Sequence, residues 1–230
     1  MKEFCYSNLD LLTVAAMMGH VEVMDYLMEK NAVLDSADMM KWTALHWAVH
    51  KNNHDAIHAL VMNGADVDVV TDHGDSALHM TALSGDADIV QYLLDHNADT
   101  LCRNKRGWQP LHYAVYCGNL SIVRSLLHET DVNSLTYFGE SPLGIACVQD
   151  KCFVINELLE NGAKVNHQHS QDGNTALHYA VMVNSTAAAI ILMGYGADAT
   201  LKNKEQQTPL QIASLMGYQE LEQYLTIVDN

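Results

Sequence analysis

Thirteen histidines, five cysteines and 28 carboxylates are the residues of this 230-residue chain that could carry acid–base, nucleophilic or metal chemistry. Their spacing limits it. His46, His79, His112 and His178 stand 33 residues apart or a multiple of it, so they sit at least one structural repeat apart, too far to share a metal. His50, His54 and His58 are four apart, the spacing of one helical face. The helix-breaking Asn52-Asn53 separates the first of them, and His54 with His58 and Asp55 lacks a clear third ligand. His167-x-His169 falls in a crossing loop. Cys5, Cys102, Cys117, Cys147 and Cys152 are odd in number and contain no CxxC, a pattern of reduced thiols rather than of a disulfide framework or zinc site. A bend expected between Cys147 and Cys152 separates that pair. Neither G-x-S-x-G nor GxxxxGK[ST] occurs. No catalytic set, metal or cofactor is expected, and the chain does not read as an enzyme.

The formal charge of −16 disfavours nucleic acid, whose affinity rests on basic contacts to phosphate, and an anionic membrane surface. It suits a basic partner. Residues 52–102 hold no Lys or Arg but nine Asp, at 55, 66, 68, 72, 75, 86, 88, 95 and 99; Arg103, Lys105 and Arg106 follow as a small basic cluster. Apolar residues make up 49% of the chain, enough for a continuous core. No apolar stretch approaches the roughly 20 residues of a membrane span. The expectation is a soluble, monomeric, cytoplasmic protein, with the nucleus or delivery into a host cytoplasm as variants.

The elements that place these residues repeat. Thr43-Ala44-Leu45-His46, Ser76-Ala77-Leu78-His79, Gln109-Pro110-Leu111-His112, Ser141-Pro142-Leu143-Gly144, Thr175-Ala176-Leu177-His178 and Thr208-Pro209-Leu210-Gln211 follow one another at steps of 33, 33, 32, 34 and 33, and Asp10-Leu11-Leu12-Thr13 precedes them as a degenerate copy. Thr, Ser or Gln opens a helix in the six good copies, where Thr and Ser can cap free backbone N–H groups, and Pro110, Pro142 and Pro209 fit its first turn. Gly85, Gly118 and Gly217 end that helix in a left-handed conformation, with Asn53, Asp150 and Asn184 as substitutes. A second helix follows: Ile89, Val90, Leu93 and Leu94, repeated by Ile122, Val123, Leu126 and Leu127, form a buried stripe. Gly64, Asn97, Gly162 and Gly196 end it, and a turn such as Asp72-His73-Gly74-Asp75 crosses to the next copy.

The period of 33 and the Thr-Pro-Leu-His spelling resemble the ankyrin repeat. The resemblance covers the chain from about Cys5 onward and implies an all-α solenoid of helix-turn-helix repeats with β-hairpin-like fingers. It implies one domain over 1–230, with seven copies at about 5–37, 38–70, 71–103, 104–135, 136–169, 170–202 and 203–230, the first and last acting as caps. One pair of helices cannot bury its apolar face; stacked pairs can. Copy four loses a residue near Thr130-Asp131, copy six gains one near Ser170-Gln171, and copy six carries Ala187, Ala188 and Ala189 where larger aliphatics are usual. The family also implies that the motif imidazoles bond neighbouring backbone and tie copies together.

Arrays of this family bind proteins along the fingers and the inner face of the first helices. The matching positions here are Met39, Met40, Trp42 and His50 in copy two, Asp72, His73 and Asp75 in copy three, Lys105, Arg106, Trp108 and Tyr116 in copy four, Tyr137, Phe138 and Glu140 in copy five, and Gln171, Asp172, Asn174 and Met182 in copy six. The scaffold does not require large aromatics or Arg at such places, and they resemble binding hot spots. Trp47, Tyr113 and Tyr179 follow the motif His and are expected to pack partly between copies, with edges exposed in the groove. The leading expectation is a scaffold or adaptor that binds another protein or an extended peptide with basic and apolar anchors through copies two to five. A substrate-recruiting part of a larger enzyme or ligase, and a microbial or viral effector that binds a host protein, are the alternatives. Asn133 and Asn166, in Asp-Val-Asn and Lys-Val-Asn, also resemble sites that asparaginyl hydroxylase uses in ankyrin repeats.

Overall fold

The 33-residue period becomes one helix pair per copy. The structure, a computed structural model, describes residues 9–228; Cys5 and the opening residues of the first copy lie outside them. The chain divides into two compact units, Met1–Lys105 and Arg106–Asn230. The first unit carries α1 (Leu11–Met18) and α2 (Val21–Glu29), α3 (Ala44–His50) and α4 (His54–Met62), and α5 (Ala77–Ser84) and α6 (Ala87–Asp95). The second carries α7 (Pro110–Cys117) and α8 (Leu120–Leu127), α9 (Pro142–Val148) and α10 (Cys152–Glu160), α11 (Ala176–Met182) and α12 (Thr186–Gly194), and α13 (Pro209–Met216) and α14 (Gln219–Val228). Within the first unit α1, α3 and α5 stack in order, with α2 against α4; within the second, α7, α9, α11 and α13 stack, as do α8, α10, α12 and α14. No strand occurs among the described residues.

Helices of seven to ten residues are too short to stand alone in water. Capping and burial make up the difference. Thr43, Ser76, Gln109, Thr175 and Thr208 each precede a first helix and share a reciprocal capping box with the His or Gln three residues on. Asp86, Asn119 and Ser185 cap the second helices by accepting from Ile89, Ile122 and Ala188 N–H. The buried stripe runs through Leu45, Leu78, Leu111, Leu143 and Leu177 of the first helices, and Leu60, Leu93, Leu126, Leu158 and Leu192 of the second. Ala188 and Ala189 are also fully buried. Truncating one of these leucines to Ala costs about 2–5 kcal/mol. The first copy is not polar on every face: Leu11, Val14 and Met18 form an exposed apolar row on α1.

The break after each first helix falls at equivalent residues: Gly19, Asn52, Gly85, Gly118, Asp150, Asn184 and Gly217 all have positive φ. Asn52 (φ 57), not Asn53, takes this place in copy two, which corrects the sequence reading by one residue. Asn53 is extended toward the preceding copy instead, where its amide donates to the Ala16 and Met17 carbonyls at 3.0 and 2.9 Å. The residue lost from copy four is the left-handed one that ends the second helix elsewhere. Thr130 replaces it, donating both its N–H (3.2 Å) and its Oγ1 (2.6 Å) to the Leu126 carbonyl.

The fingers are hairpin-like turns. Asp38, Thr71, Thr136 and Asn203 each donate N–H to the carbonyl four residues on. A left-handed residue precedes the closing position: Lys41, Gly74, Gly139 and Gln206. Adjacent fingers join by backbone bonds, Asp72 N–H to Met40 O (2.9 Å), Lys105 to His73 (3.0 Å), Tyr137 to Arg106 (3.1 Å) and Lys204 to Asp172 (2.8 Å). The extra residue of copy six lies in its finger, closed from His169 to Asn174. The enlarged turn changes the seam to copy five: Phe138 O accepts from His169 Nε2 (3.0 Å) and Ser170 Oγ (3.1 Å).

Candidate protein-binding surface

The motif histidines are consumed by the scaffold. His178 is fully buried; its Nδ1 accepts from Thr175 N–H at 3.2 Å, and its Nε2 lies 3.1 Å from the Gln207 carbonyl of the next copy. A carbonyl only accepts, so Nε2 carries the proton and Nδ1 the lone pair. His46 repeats this with Thr43 N–H and Asp75 O, and His112 with Gln109 N–H and Ser134 O. Burial lowers the pKa of His46 and His178 below the ordinary 6.5, outweighing the bonds to Asp75 and Gln207 that raise it. Both rings are neutral spacers between copies. His54 also crosses copies, with Nε2 2.6 Å from Asp86 Oδ2. Among the described residues no three His, Cys, Asp or Glu side chains group as a metal site.

Asp and Asn before each crossing add a second clamp. Asp35 and Asp68 accept from Asp66 and Asp99 N–H at 3.0 and 2.8 Å. Asn133 accepts from Lys164 N–H (2.8 Å) and donates to Gly162 O (3.2 Å); Asn166 does the same with Asp198 (2.8 Å) and Gly196 (3.1 Å). These asparagines thus have a structural task of their own.

With those residues accounted for, a hollow remains in each unit on the face made by first helices and fingers. In the first unit Trp42, Val49, His50, Thr71, His73 and Asp75, with Met80, Leu83 and Ser84 of α5, enclose about 310 Å³. Trp42 rests on Trp47, ring centres 4.8 Å apart, and meets the edge of His50 at 5.4 Å. Trp47 is anchored beneath through its indole N–H to Asp38 Oδ2 at 3.1 Å. Burial, then the neighbouring Lys51, lowers the His50 pKa.

In the second unit the equivalent tryptophan, Trp108, rests on Tyr113 at 4.9 Å and meets Tyr116 at 5.9 Å. It forms one wall of a hollow of about 320 Å³ whose other sides come from copies five and six: Glu140, Gly144, Val148, His167, Asp172 and Tyr179 among them. Trp108 Nε1 donates to Glu140 Oε2 at 3.3 Å. The residue equivalent to Glu140 in the first unit is Asp75, one methylene shorter and engaged by Asn104 Nδ2 at 2.8 Å. Trp42 Nε1 is buried and has no partner. Burial works to raise the Asp172 pKa, but bonds from Asn174 N–H, His169 and Tyr179 outweigh it and hold the carboxyl below the usual range. Burial, then the bond to Asp172, pushes the Tyr179 hydroxyl up.

The sequence-marked residues therefore fall into groups. Trp42, His50, His73 and Asp75 meet at the first hollow, and Trp108 and Tyr116 at the second, with Glu140, Asp172 and Asn174. Met39, Met40, Asp72, Arg106, Tyr137 and Phe138 are exposed on finger tips, and Met182 is exposed at the end of α11. Trp42 and Trp108 are half-buried on their own copies rather than projecting. Gly144, His167, His169 and Tyr179 belong to the second hollow and were not marked as binding residues. Gly144 was legible: its motif lacks the His or Gln that copies two to four, six and seven carry.

Three comparisons bear on identity. The family described as ankyrin repeats, three copies, matches residues 3–71, 51–136 and 143–229. Similar curated proteins include BCL-6 corepressor-like protein 1 of Homo sapiens, 38% identical over 84 residues, 36% of this chain and 5% of that protein. Ankyrin repeat and SOCS box protein 9 of Homo sapiens is 36% identical over 72 residues, 31% of this chain and 24% of that protein. The chain thus matches small parts of longer relatives. Among solved structures, the human ASB11 ankyrin repeat domain superposes with a TM-score of 0.83 at 26% identity, covering 96% of this chain and 99% of that one. The ankyrin repeat domain of Bcl-3 superposes with a TM-score of 0.80 at 27% identity, covering 93% and 98%. The repeat period, the paired helices with their histidine spacers and the family match together place this chain in the ankyrin-repeat family, as an α solenoid of protein-interaction repeats.

Proposed function

We propose that the chain holds a protein partner on the surfaces that first helices and fingers form within its two units, with the finger tips of copies two and three and of copies four and five as their rims. The observation that carries this reading is the pair of hollows. Each has as a wall the tryptophan that precedes the motif and rests on the aromatic residue after the motif His. A ring propped by another ring is already fixed before binding, so little further side-chain entropy is lost on contact. The exposed Met39, Met40, Tyr137 and Phe138 add apolar contact area. The charge of −16 favours a partner with basic anchors, and a monomeric array suffices. The reading puts the chain in the cytoplasm or nucleus, where its cysteines would remain reduced.

Alanine at Tyr116, Tyr137 and Phe138 together tests the reading, because these rings are exposed and their loss leaves Trp42 on Trp47 and Trp108 on Tyr113. The triple variant should melt within about 2 °C of wild type and lose the protein captured by wild type. Retained capture at unchanged melting would overturn it. A second reading has support in the relatives' names, which include a putative E3 ubiquitin-protein ligase, XBAT35, of Arabidopsis thaliana and a 2-5A-dependent ribonuclease of Homo sapiens. In that reading the array recruits a substrate for a catalytic part elsewhere, through the same face.

A further inference from the structure

We propose that the hollow over Gly144 is an arginine pocket, which takes one arginine side chain of the bound partner. The proposal deepens the protein-binding reading and rests on it. Copy five spells its motif Ser141-Pro142-Leu143-Gly144, whereas His46, His79, His112, His178 and Gln211 fill the same place in copies two to four, six and seven. Ser141 still caps the helix through Gly144 N–H at 3.1 Å. The imidazole that would follow is missing, and Gly144 lines the hollow of about 320 Å³, where a Cβ added to it would stand 3.3 Å from Ser141 Oγ and 3.6 Å from the Tyr179 ring. That volume lies at the small end of ligand pockets and suits one long side chain.

The lining selects a cation. Glu140 and Asp172 come from successive fingers, against one ammonium, Lys164. Glu140 Oε2 accepts from Trp108 Nε1 (3.3 Å) and Thr136 Oγ1 (3.0 Å), leaving Oε1 with no hydrogen-bond partner among the described residues. Asp172 Oδ1 accepts from Asn174 N–H (2.8 Å) and lies 3.0 Å from His169 Nδ1, and Tyr179 Oη donates to Oδ2 (2.9 Å), which leaves a lone pair on Oδ2. The same bonds hold Asp172 in its charged form. His167 is part of this lining, and its Nε2 is buried with no hydrogen-bond partner among the described residues. A buried polar atom left unpaired is unfavourable, and a ligand able to hydrogen-bond would satisfy it. Trp108, Tyr116 and Tyr179 supply aromatic walls.

Guanidinium matches this set better than ammonium. Its planar face stacks on aromatic rings, and its five N–H donors can reach carboxylates on two different fingers at once. An ammonium is a compact, strongly hydrated point charge and does neither as well.

The test needs no partner protein. The ¹⁵N–¹H spectrum of the full chain is titrated with N-acetyl-L-arginine methylamide and, separately, with its citrulline counterpart, a neutral isostere. The arginine compound should move the Gly144 amide and Trp108 indole resonances saturably, and citrulline should bind roughly tenfold more weakly or less. Gly144→His returns a motif imidazole to the hollow, against Ser141 Oγ and the Tyr179 ring; with the fold checked by its melting curve, it should abolish the arginine response. Glu140→Gln, which leaves the hollow open, should weaken it. No saturable response, an equal response to citrulline, or an unchanged response in both variants would overturn the pocket. A partner that still binds Gly144→His but is lost from the Tyr116, Tyr137 and Phe138 triple variant would overturn the pocket while leaving the protein-binding reading in place.

Discussion

Removing the imidazole of His178 should cost the second unit two hydrogen bonds and leave their partners buried. In His178→Ala, Thr175 N–H loses its acceptor at 3.2 Å and the Gln207 carbonyl its donor at 3.1 Å. Each bond is worth about 1 kcal/mol net, and stranding a buried partner adds a further 1 kcal/mol or more. The side chain is fully buried, so the vacated volume adds a cavity term. The sum is about 3–5 kcal/mol, or roughly 6–20 °C in melting temperature for a chain of this size. The last copy contains a natural control. Gln211 occupies the same motif position, and its Oε1 accepts from Thr208 N–H at 2.9 Å. His178→Gln should therefore keep the capping half and lose the bridge to the next copy, costing about half as much. The assay is urea unfolding followed by circular dichroism, with both variants beside wild type. A loss under 1 kcal/mol for His178→Ala, or equal losses for the two variants, would refute the argument that the imidazole works as a cap and a bridge.

Other perturbations follow from the same geometry. Because the folded pKa of His46 and His178 lies below the unfolded 6.5, the unfolded chain binds more protons between those values. Stability should therefore be flat in this respect above pH 6.5 and fall as pH drops below it, with a shallower slope in His178→Gln, as measured by urea midpoints at several pH values. Asn133→Ala removes two exposed inter-copy bonds and should cost about 1 kcal/mol by the same assay. Gly139→Ala should cost more than that, since φ is 85° and the added methyl meets Ser170 Oγ; the seam at Phe138 would open, visible as faster amide exchange in that finger. Cys147 is fully buried and its thiol is pushed far up by burial, then by Cys152 and Asp150. It should resist alkylation in the native protein and react only on unfolding, read by mass spectrometry.

The scaffold was legible because each of its features is local and repeated. One capped helix and one apolar stripe, spelled six times in register, require the same helix pair six times. Misreadings arose where a residue answers to another copy. Asn53 sits beside the left-handed position, but its amide serves the carbonyls of Ala16 and Met17, and nothing in its own copy marks that. The deletion near Thr130 was visible, yet its repair by the Thr130 hydroxyl depends on side-chain geometry. The binding face was partly legible: positions free of scaffold duty identified Trp42, Trp108, Tyr116 and the finger tips. That the two indoles lie back on Trp47 and Tyr113 could not be read, because spacing gives neighbourhood and not ring orientation. His167 and His169 were weighed as metal ligands along the chain, and their meeting with Asp172, Tyr179 and the gap at Gly144 exists only once copies four to six are stacked.

Site-specific photo-crosslinking tests the central claim most directly. A benzophenone side chain is placed at Tyr116 or Phe138 on the proposed face, and at Met62 or Phe153, exposed on the second helices α4 and α10. Under irradiation in cells, Tyr116 and Phe138 should join the same partner protein, and Met62 and Phe153 should not. Adducts to one partner from the second-helix positions, with none from Tyr116 or Phe138, would contradict the account.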